Sequence, residues 1–443
     1  MFAVLAHRVY ARLFAAQVVA LVGTGLMTVA LGLLAYDLAG DRAGAVLGTA
    51  LAIKMVAYVG LSPVAAALAE RLPRKAVLIG ADLIRAAVAL ALPFIDAVWQ
   101  VYALIFVLQA ASASFTPAFQ AVIPDILPEE RDYTRALSLS RLAYDLESLL
   151  SPALAGVLLL VISYQGLFAG TVLGFLGSAL LVAGTALPAR AGAEARRGFG
   201  DRLTRGVRIY LATPRLRGLL ALNLTAAAAG AFVIVNTVVI VRAGYGLGEA
   251  EVAVALAAFG GGSMLAALAL PRLLDTLPDR GVMLAAAAGL AALSLGLAAA
   301  MLGTGPLPWA VLLAGWAGMG LAYSAILTPS GRLLRRSSHA EDRPALFAAQ
   351  FALSHACWLV TYPLAGWAGG LLGMGGTLLV LGGVGAGGVV AALRLWPAGD
   401  PQEVAHDHPD LPGDHPHLRD HGGRRHRHVF VIDDEHRSWP THG

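Results

Sequence analysis

The feature that most constrains this chain is a series of apolar segments, each about 20 residues long and nearly free of charge. A helix of that length spans the roughly 30 Å hydrocarbon core of a bilayer. Their apolar residues do not alternate with polar ones, as they would in a membrane β-barrel. The sequence therefore predicts an all-α polytopic membrane protein with twelve transmembrane helices, at about residues 12–36, 44–68, 76–95, 98–120, 138–162, 165–188, 216–241, 247–271, 281–303, 307–328, 346–371 and 373–396.

Composition agrees with a membrane protein. The chain is 58% hydrophobic and only 14% charged, and its 51 glycines suit helices that pack closely in a membrane. The first apolar stretch is too long for the apolar region of a signal peptide, so we interpret it as the first span. A single cysteine, Cys357, excludes an intramolecular disulfide framework.

The distribution of basic residues predicts the orientation. Alternate connections on one side hold 23 of the 32 Lys and Arg residues, whereas the other side holds only Arg42 and Arg242. Cytoplasmic connections carry such an excess under the positive-inside rule. We therefore expect a multi-pass protein of the cell inner (plasma) membrane with both termini in the cytoplasm. The basic pI follows from this topology and does not indicate nucleic-acid binding.

The connections divide the chain into two parts. Residues 189–215 form a long, arginine-rich connection with some apolar residues at helical spacing, which predicts an amphipathic helix on the inner surface. The chain then comprises an N-terminal six-helix half (1–188) and a C-terminal six-helix half (216–397). Residues 398–443 contain too little apolar material to fold, so we predict a disordered cytoplasmic tail.

A short charged connection, AAALAERLPRK at residues 65–75, joins the second and third spans. It resembles the signature loop G-x-L-A-D-R-x-G-R-K of the major facilitator superfamily. Leu68, Ala69, Arg71, Arg74 and Lys75 match that pattern, whereas Ala66, Glu70 and Pro73 replace its first glycine, its aspartate and its second glycine.

The resemblance implies two six-helix halves with a substrate site between them near the midplane. It also implies that the charged connection gates one side of the membrane as the halves rock. The expected gating motif comprises Glu70, Arg71, Arg74 and Lys75, with Asp82 and Arg85 of the third span.

Ionisable residues within the spans are candidates for a proton or substrate pathway, because each costs about 3 kcal/mol to insert. Lys54 lies near the middle of the second span, Gln109 belongs to a polar stripe on the fourth, and Asp145 and Glu147 lie in the fifth. Arg141 precedes Asp145 by one turn, a spacing that permits an ion pair. Glu147 either pairs with Lys54 to hold two spans together or carries protons or substrate, and a transporter allows both.

The eleventh span carries His355 and Cys357, whose nitrogen and sulfur atoms suit borderline-soft divalent metals. Two residues apart on a helix they point in nearly opposite directions, so a regular helix cannot aim both at one ion. A hydrogen-bonded histidine and a small core cysteine are the alternative interpretations.

The tail after residue 397 contains nine of the protein's 12 histidines. Imidazoles interspersed with carboxylates bind nickel, copper and zinc, and the alternative is a merely solubilising segment. The candidate ligands form three His-x-His pairs: His406 and His408, His415 and His417, His426 and His428.

Taken together, the twelve spans and the histidine-rich end resemble the nickel-resistance exporters of the superfamily (the NreB and NrsD-like branch). That resemblance implies proton-coupled efflux of nickel, either alone or together with cobalt. An exporter of a siderophore, drug or other small organic molecule is the main alternative, and a membrane-bound metal sensor without transport is a third.

Motifs for other chemistries are missing. The sequence has no G-x-x-x-x-G-K-[ST] phosphate loop, no H-E-x-x-H and no G-x-S-x-G. We therefore expect an ion gradient to supply the energy. The sequence predicts no enzyme activity and no cofactor apart from a transported or tail-bound divalent metal. The expected partners are the lipid bilayer, protons and a small cation or organic substrate, and we expect a monomer.

Overall fold

The structure is a computed structural model. It describes residues 2–61, 73–187, 199–274, 276–339, 342–401, 403–409, 411–412, 414–421 and 423–440. Most of the charged connection at 65–75, including Glu70 and Arg71, lies outside these ranges, and so does the side chain of Asp145.

Long helices make up the N-terminal half. The second helix continues into a π-helical turn, Ala57–Leu61, so that Lys54 and Tyr58 flank a change of helical geometry. The helices are α1 (Arg8–Ala39), α2 (Ala43–Val56), α3 (Arg74–Ala91), α4 (Val98–Ile126), α5 (Glu130–Leu159) and α6 (Tyr164–Ala183).

A linking helix and a second set of helices follow. The last of these helices is interrupted at Gly373, whose φ of 66° only glycine adopts easily, so it holds the last two spans. The helices are α7 (Phe199–Ala212), α8 (Pro214–Val239), α9 (Glu249–Leu273), α10 (Asp279–Thr304), α11 (Trp309–Leu327), α12 (Ser330–Arg336) and α13 (Arg343–Leu395).

These helices confirm the prediction of a polytopic helical membrane protein. Within the described residues, nine segments are long and apolar enough to cross a membrane. The segment Arg8–Gly60 contains the predicted first span and most of the second, and Ala345–Leu395 contains nearly all of the last two. Helix α5 covers the predicted fifth span. Large apolar side chains such as Phe94 and Leu371 are about 80% exposed on the outside of the bundle, where lipid replaces water as the solvent.

The two halves meet at one end of the bundle. This end carries the short connections 40–42, 160–163 and 245–248, and we call it the short-loop face. Helix α2 packs on α13 there through glycines, because a Cβ at Gly366 would lie 2.3 Å from the carbonyl oxygen of Gly44. Helix α5 packs on α9, where a Cβ at Gly156 would lie 3.1 Å from Ala253 Cβ. Small residues therefore let the halves close tightly at this face.

The opposite end, which we call the basic face, carries the linking helix α7. The helix predicted in the 189–215 connection is confirmed, and it lies against the C-terminal half. Its Ile209 and Tyr210 are buried, and the Tyr210 hydroxyl donates to Gln350 Oε1 at 2.6 Å. A Cβ at Gly206 would lie only 2.0 Å from the Ala345 carbonyl oxygen, so α7 and the start of α13 are in close contact.

The prediction of a disordered tail is wrong for the residues that the structure describes. Strands β1 (Glu403–Asp407) and β2 (Arg425–Val429) form an antiparallel pair in which His406 faces His426, and a short helix α14 (Pro416–Asp420) lies between them. The apolar residues Val404, Phe430 and Ile432 are buried in the same hydrophobic cluster as the C-terminal half. Low average hydropathy concealed these few anchoring side chains.

Candidate functional site

One acid and one base lie between the halves near the middle of the membrane. Lys54 of α2 and Glu147 of α5 are each about 17 Å along their helices from the short-loop face. The two charges interact electrostatically, and Lys54 Nζ lies 5.7 Å from the centre of the Tyr58 ring. Tyr58 and Tyr362 are also within electrostatic reach of Glu147. The structure therefore brings both predicted residues into one site, and their role in transport stays a prediction.

Helix α1 closes one side of this site. A Cβ at Gly25 would lie 1.8 Å from Ser151 Oγ and 3.0 Å from Glu147 Oε1. Only a glycine leaves room for both polar side chains at this crossing. Sequence reasoning missed Gly25, since a glycine in a glycine-rich span gives no signal of its own.

Aromatic rings from the C-terminal half form the opposite wall. The Phe351 ring lies 6.0 Å from Tyr58, across the boundary between the halves. The Trp358 ring lies 4.8 Å from the Tyr362 ring, tilted by 36°, and meets the Tyr323 ring edge-on at 6.3 Å. The wall is therefore apolar and polarisable, and it faces a carboxylate and an ammonium group.

The predicted ligands of the eleventh span are not brought together. His355 Nδ1 lies 2.7 Å from the Phe351 carbonyl oxygen, and its ring lies 3.9 Å from the Phe351 ring at a tilt of 34°. Cys357 is buried and its thiol points towards the Leu353 carbonyl oxygen at 3.6 Å and, at 4.0 Å, towards that of Leu220 on α8. His355 thus belongs to the aromatic wall, whereas Cys357 packs against a neighbouring helix.

Two other predicted pathway residues have different surroundings. Gln109 is buried in α4, and among the described residues its Oε1 has no hydrogen-bond partner. Asp145 lies on α5, and its side chain is outside the described part. Neither observation tests the predicted role in a pathway.

The described part of the gating motif forms two ion pairs. Arg74, at the start of α3, pairs with Asp125 near the end of α4. Asp82 pairs with Arg85 one turn along α3. The Arg85 guanidinium also lies 4.4 Å from the Phe115 ring, so this buried pair has an aromatic support. Lys75 is half-buried at the same end of the helix.

The C-terminal half contains a related ion pair with the charges reversed. Asp279 begins α10, in the place that Arg74 takes in the first half, and it lies 3.4 Å from Arg332 beyond the end of α11. Both pairs join a helix start to the end of the following helix at the basic face. The two halves therefore share the geometry of this contact although the residues differ.

The tail gathers imidazoles into one cluster at the basic face. Two sets of four histidines each have ligand atoms within 4.8 Å of one another, and His406 and His417 belong to both. Burial lowers the pKa of His406 and of His417 to about 4, so these rings are neutral at pH 7. The sets are His406, His408, His417 and His426, and His406, His417, His428 and His436.

Five of the six predicted tail ligands therefore fall in the cluster, and one does not. His415 Nδ1 instead accepts from the His417 backbone N–H at 3.3 Å, at the start of α14. His436 belongs to the cluster, and sequence reasoning missed it because it has no histidine two residues away.

Comparison with known families decides the class. A sequence model of the Major Facilitator Superfamily matches residues 13–311, which is more than half of the chain. The chain belongs to the major facilitator superfamily. This membership, with transporters as structural neighbours, makes the protein a multi-pass membrane transporter and not an enzyme.

Curated proteins match part of the chain. Macrolide efflux protein A of Streptococcus pyogenes is 29% identical over 181 residues, which are 40% of this chain and 44% of that protein. Macrolide efflux protein A of Enterococcus faecalis is 32% identical over 138 residues, which are 29% of this chain and 42% of that protein. The chain thus spans less than half the length of these relatives.

Solved structures of other transporters confirm the fold. The nucleoside transporter NupG has a TM-score of 0.64 at 14% identity, covering 88% of this chain and 99% of that one. The D-xylose-proton symporter has a TM-score of 0.66 at 14% identity, covering 88% and 98%. At such low identity the likeness establishes the arrangement of the helices and leaves the cargo open.

Proposed function

We propose that the protein is a proton-coupled exporter of a bulky, amphipathic organic compound. The observation that carries this proposal is the site between the halves, where Glu147 and Lys54 face the aromatic wall that begins with Phe351 of α13. An aromatic wall suits the apolar body of an organic molecule, and the charged pair suits a polar or cationic group on it. The names of the macrolide efflux relatives support an organic cargo and export.

Glu147 would couple cargo to protons. A carboxylate can bind either a proton or the cargo's cationic group, but not both at once. Because each one displaces the other, proton entry on one side is coupled to cargo release, which is antiport. Lys54 would compete with the cargo for Glu147 and would keep the carboxylate charged when the site is empty. The tight crossing at Gly25 would hold Glu147 in one position.

The orientation that we infer assigns each face of the bundle to one side of the membrane. The excess of basic residues supports a cytoplasmic location for the basic face, with the protein in the cell inner membrane. The short-loop face is then external, and the glycine packing of Gly366 on Gly44 would close it while cargo enters from the cytoplasm. Rocking of the halves would open this face for release.

A second candidate is export of a divalent transition metal, nickel or cobalt. The imidazole cluster of the tail supports it, because a cytoplasmic metal site would collect the ion. The separation of His355 from Cys357 within the membrane weighs against it, since these two predicted ligands do not form a site.

Accumulation measurements in cells that lack their own exporters distinguish the candidates. Cells that express the protein should accumulate less of a macrolide or a lipophilic cationic dye, and loss of the proton gradient should remove the difference. Glu147→Gln should abolish this export at equal membrane abundance, whereas Glu249→Gln, which changes an acid at the short-loop face, should retain it. Lower cellular nickel or cobalt with unchanged dye levels would instead favour metal export.

A further inference from the structure

The imidazole cluster of the tail has its ring orientations fixed by hydrogen bonds. In five of these rings the Nδ1 atom faces a carbonyl or carboxylate oxygen, which can only accept a hydrogen bond. His426 Nδ1 lies 2.6 Å from the Gly423 carbonyl oxygen, and His417 Nδ1 lies 2.9 Å from Glu435 Oε2. The other three are His406 towards Val404 at 2.9 Å, His428 towards Val429 at 2.8 Å and His436 towards Asp433 Oδ1 at 2.9 Å.

These contacts decide where the ring protons lie. A carbonyl or carboxylate oxygen requires the proton on Nδ1, so the Nε2 atom of each neutral ring carries a lone pair. The Nε2 atoms of His417 and His426 are nevertheless 3.0 Å apart, and those of His406 and His436 are 3.1 Å apart. Two lone pairs at that distance repel each other unless a cation lies between them.

A transition-metal ion fits this arrangement better than an extra proton. Histidine ligands of metals almost always donate their other ring N–H to a carbonyl or carboxylate, which is the pattern here. Zn–N bonds of about 2.0–2.1 Å place tetrahedral ligands about 3.3 Å apart, close to the observed separations. A proton could bridge only one pair of rings, whereas a metal ion can bind the Nε2 lone pairs of four rings.

We propose that the C-terminal hairpin binds one divalent transition-metal ion, of the zinc, nickel, cobalt or copper class, through the Nε2 atoms of its histidines. His406 and His417 are the central ligands, because both four-histidine sets contain them. His406 and His417 each have only Nε2 free for a metal, so the two sets share one ion. The other ligands are the pair His408 and His426 or the pair His428 and His436.

The same hairpin is attached to the C-terminal half by two carboxylates that follow strand β2. Asp433, which accepts from His436, also lies 3.3 Å from His339 Nε2 in the connection that leads to α13. Asp434 accepts from Arg205 of α7 at 2.6 Å, and Arg205 also binds Asp342 at the start of α13. The ion would therefore fix the tail onto the helix whose rings line the central site. This role does not depend on the cargo.

Binding is tested with the purified full-length protein in detergent after chelation, titrated with Zn²⁺, Ni²⁺ or Co²⁺ alone. One ion per chain is expected. The double variant His406→Ala with His417→Ala should lose more than the roughly 10- to 100-fold in affinity that removal of an outer-shell partner costs. His415→Ala is the matched control and should bind as the wild type does. Equal affinity in the double variant and the control would overturn the site.

Attachment of the tail is tested by trypsin cleavage at the exposed arginines of β2, Arg425 and Arg427. Metal should slow cleavage in the wild type and in His415→Ala, and it should have no effect in the double variant. Asp434→Asn should bind metal normally yet lose part of the protection, whereas full protection would overturn the proposed attachment. Glu147→Gln should leave metal binding and protection unchanged. The metal site of the tail and the export hypothesis are therefore tested independently of each other.

Discussion

Gly366→Ala perturbs the contact that closes the short-loop face. A Cβ there would lie 2.3 Å from the Gly44 carbonyl oxygen and 3.1 Å from Gly48 Cα, both on α2. Non-bonded atoms pack at about 3.5 Å, so α2 and α13 must separate locally by roughly 1 Å. Overpacking of this kind costs about 1–3 kcal/mol, which shifts an equilibrium between closed and open by about 5- to 150-fold.

A matched control separates this effect from helix propensity. Alanine in a helix interior is favoured over glycine by about 1 kcal/mol, so the substitution by itself stabilises α13. Gly370 lies one turn further along the same helix, and a Cβ there would meet nothing within 4 Å. Gly370→Ala should therefore leave the closed face intact.

Thiol labelling measures the opening directly. The reporter is Ala365→Cys, at a fully buried position beside the contact, in a Cys357→Ser background. A membrane-impermeant maleimide should label the reporter at least about 5-fold faster with Gly366→Ala, and at the basal rate with Gly370→Ala. Equal labelling in both variants would refute the assignment of this contact as the closure between the halves.

Two further glycine crossings give sharp predictions. Gly25→Ala would place Cβ 1.8 Å from Ser151 Oγ. It should lower transport, measured by cellular accumulation at matched abundance of the protein, by about 10-fold or more. Gly32→Ala is the control and should be tolerated, because the nearest atom to its Cβ would be 3.6 Å away. Gly262→Ala would place Cβ 1.8 Å from a backbone oxygen of α11 and should lower the thermal unfolding midpoint by about 2–6 °C. Gly261→Ala meets nothing within 4 Å and should melt no lower than the wild type, and equal melting of the two variants would contradict the crossing.

The helices could be predicted from the sequence because the bilayer imposes a single rule. Every backbone group within hydrocarbon needs a partner inside its own segment, so an apolar run of membrane length becomes a helix regardless of its neighbours. The predicted break between the last two spans agrees with the structure for the same reason, since Gly373 separates two runs of that length. The break itself needs a positive φ, which glycine supplies.

The central site could be predicted only in part. Lys54 and Glu147 are identifiable from the sequence because charge in an apolar span is expensive. The aromatic wall opposite them is not, because Phe351 and Trp358 belong to an apolar helix in which aromatic residues carry no distinguishing pattern. Its position depends on how α13 packs on α2, and glycines in both helices determine that packing.

The His-x-His motif of the tail places its two rings differently in a strand and in a helical turn. In strands, residues two apart share a face, so the pairs that begin at His406 and His426 direct both rings of each pair into the cluster. His415 begins the same motif at the start of a helical turn, where residues two apart diverge, and only His417 reaches the cluster. His436 joins from 30 residues beyond His406, held by Asp433. Histidine spacing therefore predicts metal affinity, whereas the hairpin register selects which imidazoles can share an ion.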